Sequence, residues 1–115
     1  MNPPLKPNSK VCEALERFLI VVENEDFVEG HEVLEPSWHA FKKLPESLND
    51  ALILKGLING ATALALAKKG KTEGAKRVWA TFEKYAPLIE FSASELTPYY
   101  HQACRLLQHK KCFHM

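Results

Sequence analysis

The sequence predicts an all-α fold: a compact bundle of about five helices around one central apolar helix. Three observations carry this reading. Apolar residues recur at spacings of three and four along most of the chain. No stretch alternates apolar and polar residues over the length of a strand. The segment from about Leu48 to Lys69 is apolar around nearly its whole circumference, as expected of a helix enclosed by others. A length of 115 residues suits one domain.

Each element has its own signal. Residues 1–8 are rich in Pro and Asn and read as a flexible N-terminal arm. A single helical domain over 9–108 and a Cys/His tail over 109–115 follow. Ser9 is placed to cap a first helix to about Glu23, with Val11, Leu15, Phe18 and Val22 on one face. Asn24, Glu25 and Asp26 form a turn, and Asp26 with Glu29 resembles a capping box. The second helix carries Phe27, His31, Leu34, Trp38 and Phe41 at spacings of four and three. Pro36, inside it, removes a backbone donor and predicts a kink or a restart.

Leu44 to Ser47 is the next break. In the third helix Gly56 and Gly60 each cost about 1 kcal/mol of propensity, which close approach of a neighbouring helix would offset. Gly70 ends that helix, beside Lys68 and Lys69. Thr72 opens a fourth to about Tyr85, with Ala75, Val78, Trp79, Phe82 and Ala86 inward and Pro87 as the stop. Thr97 and Pro98 open a last helix to about Gln108, with Tyr99, Ala103, Leu106 and Leu107 inward.

Composition excludes several classes. Hydrophobic residues at 46% and charged residues at 25% are globular values, not those of a disordered chain. A formal charge of +1 gives no bulk attraction to nucleic acid or anionic lipid. Charge is uneven, however. Residues 1–58 hold six Lys and Arg against ten Asp and Glu; residues 59–115 hold nine against four. The longest bulky apolar run, Phe18 to Val22, is too short to span a bilayer, and no secretory signal follows Met1. Cys12, Cys104 and Cys112 cannot all pair within one chain, which fits reduced thiols in the cytoplasm.

Two constellations could carry chemistry. On a helix, His31 and Glu35 are neighbours one turn apart, and Glu35 and His39 would be the next pair. His31 is expected to face the interior, bonded to the Glu35 carboxylate. Removing it should then cost about 2 kcal/mol or more, by leaving a buried acid unpaired. A histidine and a carboxylate at this spacing could also hold a metal, with Glu32 or Glu35 as base. Zinc peptidases, however, place histidine where this chain has Glu35. The second constellation is His101, Cys104, His109, Cys112 and His114, soft ligands whose spacing matches no familiar zinc finger. A divalent metal is not favoured at either place.

The segment Asp26-Phe27-Val28-Glu29-Gly30-His31-Glu32-Val33-Leu34-Glu35-Pro36-Ser37-Trp38 resembles the signature of the domain-of-unknown-function family 309. The block from Leu54 to Ala61, then Gly70 and Gly74-Ala75, is similar too, so the resemblance covers about residues 10–85. It implies a small helical bundle in which His31, Glu32, Glu35 and Trp38 form a polar-aromatic cluster. It brings no activity or cofactor. The family commonly has Gln where this chain has Asn59, and often His near Leu66. Asn59 would meet the His31 cluster if the second and third helices pack face to face.

The expected function is a binding or interaction module, offering a polar cleft beside His31 to a small ligand or a groove to a protein partner. The alternative is a hydrolase-like or metal-assisted enzyme using His31, Glu32 and Glu35. Nucleic acid and membrane are not favoured partners.

Overall fold

A computed structural model describes residues 9–115; the predicted arm over 1–8 lies outside them. The helices are α1 (Ser9–Glu23), α2 (Phe27–Val33), α3 (Glu35–Lys42), α4 (Leu48–Lys68), α5 (Thr72–Tyr85) and α6 (Thr97–His114). Short 3-10 turns, Pro45–Ser47 and Ala86–Phe91, precede α4 and follow α5. No strand occurs among the described residues. The fold is the expected all-α bundle, with α2 and α3 as the two halves of the predicted second helix.

That helix breaks at Leu34. Pro36 lies in the first turn of α3, where its missing N–H costs nothing. The new helical ladder opens at Trp38 N–H, which donates to the Leu34 carbonyl at 3.0 Å. Two chain reversals share one geometry. After α4, Gly70 takes φ +80°, its N–H donates to Ala67 O, and Lys71 N–H donates to Leu66 O. After α1 the same pair of bonds runs from Glu25 N–H to Val22 O and from Asp26 N–H to Val21 O. There the left-handed position, φ +63°, is held by Glu25 instead of glycine.

The expected side-chain caps are not used as such. Asp26 precedes α2 without a side-chain capping bond, and Lys71 and Leu96, not Thr72 and Thr97, precede α5 and α6. Ser9 is the first residue of α1, not the residue before it. Thr97 Oγ1 instead accepts from Ser94 N–H at 3.0 Å and pairs with Ser92 Oγ at 2.7 Å, tying the connection to α6.

The central helix is α4. It buries Ala51, Ile53, Leu54, Gly56, Leu57, Ile58, Gly60, Ala61, Ala63 and Leu64, and packs against α2, α3, α5 and α6. Leu52 departs from the expectation and is exposed, while Ala65 and Leu66 are half-buried. The stretch Pro45–Lys68 is long and apolar enough to cross a membrane, yet half of its 18-residue apolar window is buried inside the bundle, as for a core helix. Full burial of large side chains such as Leu15, Phe18 and Leu64 contributes about 1.5–3 kcal/mol each.

The two glycines of α4 do permit close approach. A methyl on Gly56 would meet Tyr85 Cβ at 3.0 Å, and one on Gly60 would meet Leu107 Cδ1 at 2.8 Å. On α6 the fully buried tyrosine is Tyr100, not Tyr99. The Tyr100 hydroxyl donates to Asp50 Oδ1 at 2.7 Å. Burial, then that bond, pushes the phenol far above its ordinary pKa. Tyr99 is half-buried and donates to Glu16 at 3.0 Å.

Candidate functional site around His31 and the end of α6

The His31–Glu35 pair forms despite the break between its helices. His31 Nε2 lies 2.8 Å from Glu35 Oε1, and Nδ1 lies 3.3 Å from the Val28 carbonyl. The ring bridges the joint: Val28 belongs to α2 and Glu35 opens α3. Its environment corrects the sequence expectation. The His31 side chain is 34% exposed and that of Glu35 42% exposed, so the pair sits on the rim and not in the core. The cause lies in the break. Phe27, Leu34 and Phe41, seven residues apart, point inward, and His31 and Trp38 flank that line.

The other members do not close around the imidazole. Glu32 is exposed. Trp38 is half-buried against the core; Lys42 Nζ stands 4.4 Å from its ring centroid and the His39 ring 4.7 Å. His39 therefore packs on Trp38 and does not continue the His–Glu ladder. Asn59 turns its amide back along α4, donating to Lys55 O at 2.7 Å. None of the four clearest clefts is lined by His31, Glu32, Glu35, Trp38 or Asn59.

The Cys/His tail is also corrected. Residues 109–114 are helical, and α6 runs unbroken through His114. His101 and Cys112 are then about 16 Å apart along the axis, at about 1.5 Å per residue, so one ion cannot take all four candidate ligands. Among the described residues no three His, Cys, Asp or Glu side chains are gathered to hold a metal. His109 packs edge-on against Phe113 at 5.2 Å, and the Cys112 thiol donates to Gln108 O at 3.5 Å. Burial raises the Cys104 thiol pKa against the opposing pull of Arg105, which makes it a poorer thiolate donor.

The end of α6 docks instead on the left-handed turn after α1, a site that sequence reasoning missed. Lys110 Nζ lies 3.3 Å from Glu25 Oε2. His114 Nε2 lies 3.1 Å from Oε1, close enough to pair but not aligned as a hydrogen bond. The interaction with His114, then that with Lys110, holds the Glu25 carboxyl below the usual carboxylate range, against the opposing effect of desolvation. Lys68 Nζ donates to Glu25 O at 3.2 Å, and the His114 ring meets Phe27 edge-on at 5.3 Å. The acidic turn and the basic end of the chain were visible separately. Their meeting depends on α6 reaching six residues beyond Gln108.

Fold and site together define a small helical bundle in which a His–Glu pair spans a helix joint on the rim. The family model of the domain of unknown function (DUF309) matches residues 15–78, more than half of the chain, and the chain belongs to that family. Neither a curated protein nor a solved structure matches it.

Proposed function

We propose that the protein is a binding module without catalytic chemistry at His31, and that the His31–Glu35 pair is a brace. The observation that supports this is the occupation of both imidazole nitrogens: one faces a backbone carbonyl at 3.3 Å and the other a carboxylate at 2.8 Å. A general base or a metal ligand needs one nitrogen turned toward the reacting group. Here each is turned toward an acceptor within four residues. The arrangement joins α2 to α3. A reducing, cytoplasmic setting belongs to the same proposal; three unpaired thiols, one of them exposed at Cys112, are consistent with it.

The test pairs turnover with binding. Chromogenic carboxylic and phosphate esters are incubated with the wild-type chain and with His31→Gln, with and without added zinc. A mixture of small carboxylates, amines and neutral aromatics is also screened by protein-observed NMR. Saturable binding of an unaltered compound, retained in His31→Gln, is the expected result. Ester turnover that His31→Gln abolishes would overturn the reading.

A further inference from the structure

The segment from Gln108 to Met115, at the end of α6, is attached to the bundle differently from the rest of that helix. Leu107 is the last α6 side chain in the apolar core. Beyond it the inward contacts are made by two ammonium groups and an imidazole. Lys110 Nζ and His114 Nε2 both reach the Glu25 carboxylate, and Lys111 Nζ stands 5.3 Å from the centroid of the Trp79 ring. The large apolar side chains of the segment face outward: Phe113 is 69% exposed and Met115 42%. Burial of its own apolar surface therefore does not hold the segment down. Polar contacts do, and one of them is imperfect. His114 Nε2 is shut off from solvent yet lacks an aligned hydrogen-bond partner, which costs part of what the ion pair contributes.

The seat of this segment is built independently of it. Glu25 occupies a left-handed turn closed by two backbone bonds, from its own N–H to Val22 O at 2.9 Å and from Asp26 N–H to Val21 O at 2.8 Å. Neither bond involves α6, so the turn does not need α6 to keep its form. Two buried rings lie under the segment: the His114 ring stands edge-on to Phe27, and Lys111 covers Trp79. His114 lines a cleft of about 470 Å³ beside Trp79, and Glu25 lines one of about 190 Å³ beside Phe27, so the His114–Glu25 contact is the wall between them. We propose that residues 108–115 form a strap that lifts from Glu25 and Trp79 as one unit while the rest of the bundle stays folded. Lifting uncovers Phe27 and Trp79 together and joins the two clefts. Lys110, Lys111 and His114 share one short helical segment, so loss of the Glu25 contacts also takes Lys111 off the indole. The proposal goes beyond the binding-module reading and does not depend on the role of His31.

The test is native-state hydrogen exchange on the full chain, read by NMR. In the wild type, amides of residues 112–115 should exchange at least about tenfold faster than those of Leu54 to Ala63 in α4, the mark of opening below global unfolding. Glu25→Gln should accelerate those amides and the Trp79 indole N–H by a common factor, about three- to tenfold, although Trp79 lies in the other cleft. The Trp38 indole N–H and the Leu57 amide should keep their wild-type rates, which also shows that the variant is folded. Glu25→Gly separates the carboxylate from the turn, because glycine accepts the left-handed backbone and removes only the side chain. The same acceleration is expected there. Faster exchange at 112–115 with Trp79 unmoved would mean that the helix frays residue by residue, and would overturn the unit. Acceleration in Glu25→Gln that Glu25→Gly lacks would assign the effect to the turn and overturn the carboxylate as the fastening. Wild-type exchange of 112–115 as slow as that of α4 would overturn the opening itself.

Discussion

Removing the His31 imidazole tests whether the pair is a rim brace or an interior anchor. A buried pair broken on one side would cost about 3–5 kcal/mol. The observed pair is one-third to two-fifths exposed, and its partners are four residues apart. Exposed pairs of this spacing are worth about 0.3–0.5 kcal/mol. The contact to Val28 O is longer and bends back along the same helix, so it adds little. His31→Ala should therefore destabilise by about 1 kcal/mol, and a double-mutant cycle with Glu35→Ala should return a coupling of about 0.5 kcal/mol. Urea unfolding can read this: with a slope of about 1–2 kcal/mol per M, the coupling is a midpoint difference of about 0.3–0.5 M. In about 1 M salt the coupling should shrink, because solvent reaches both groups. A coupling above about 2 kcal/mol, insensitive to salt, would refute the rim placement and restore a buried anchor.

Other outcomes follow from the packing around α4 and α6. Gly56→Ala should destabilise by about 1 kcal/mol, overpacking against Tyr85 Cβ outweighing the gain in helix propensity; Gly74→Ala, whose new methyl meets nothing nearer than 3.6 Å, should be neutral or stabilising in the same thermal melt. Tyr100→Phe should cost about 1–2 kcal/mol, read by urea unfolding, because Asp50 loses its hydroxyl partner. Truncation after Gln108 should lower the melting temperature measurably, since it removes Lys110 and His114 from Glu25 and uncovers Phe27. The lowered Glu25 pKa gives a sign: its stabilising effect is complete above the ordinary carboxylate pKa and is lost as the pH falls through the lower folded value. The stability difference between wild type and Glu25→Gln should accordingly shrink in acid.

Much of this architecture was legible because it follows from short-range rules. The apolar circumference of α4, the restart at Pro36 and the purpose of Gly56 and Gly60 are all local patterns with one physical solution. So is the His31–Glu35 contact, which the helical spacing brings within reach. Burial of His31 was not legible, because the break at Leu34 separates two short helices whose shared inward line has a period of seven, leaving residues 31 and 38 beside it. The extent of α6 was obscured by a composition that looks like a tail. Its inward residue, Lys110, is a charged group buried beside Glu25, which an apolar stripe cannot reveal. Glu25 was hidden for the opposite reason: the left-handed turn position that glycine usually marks is held here by a carboxylate.

The encirclement of α4 sets the smallest piece of this chain that can be handled alone. The stretch matched by the family model stops at Val78, ahead of Phe82, Tyr85, Tyr100 and Leu107, the residues that shield the glycine side of α4 and engage Asp50. Cut out at those limits, it would display a bare oily rod to solvent and clump. Any fusion, graft or minimised version must keep α5 and α6 whole, because the glycine side of α4 is insulated only when they close over it.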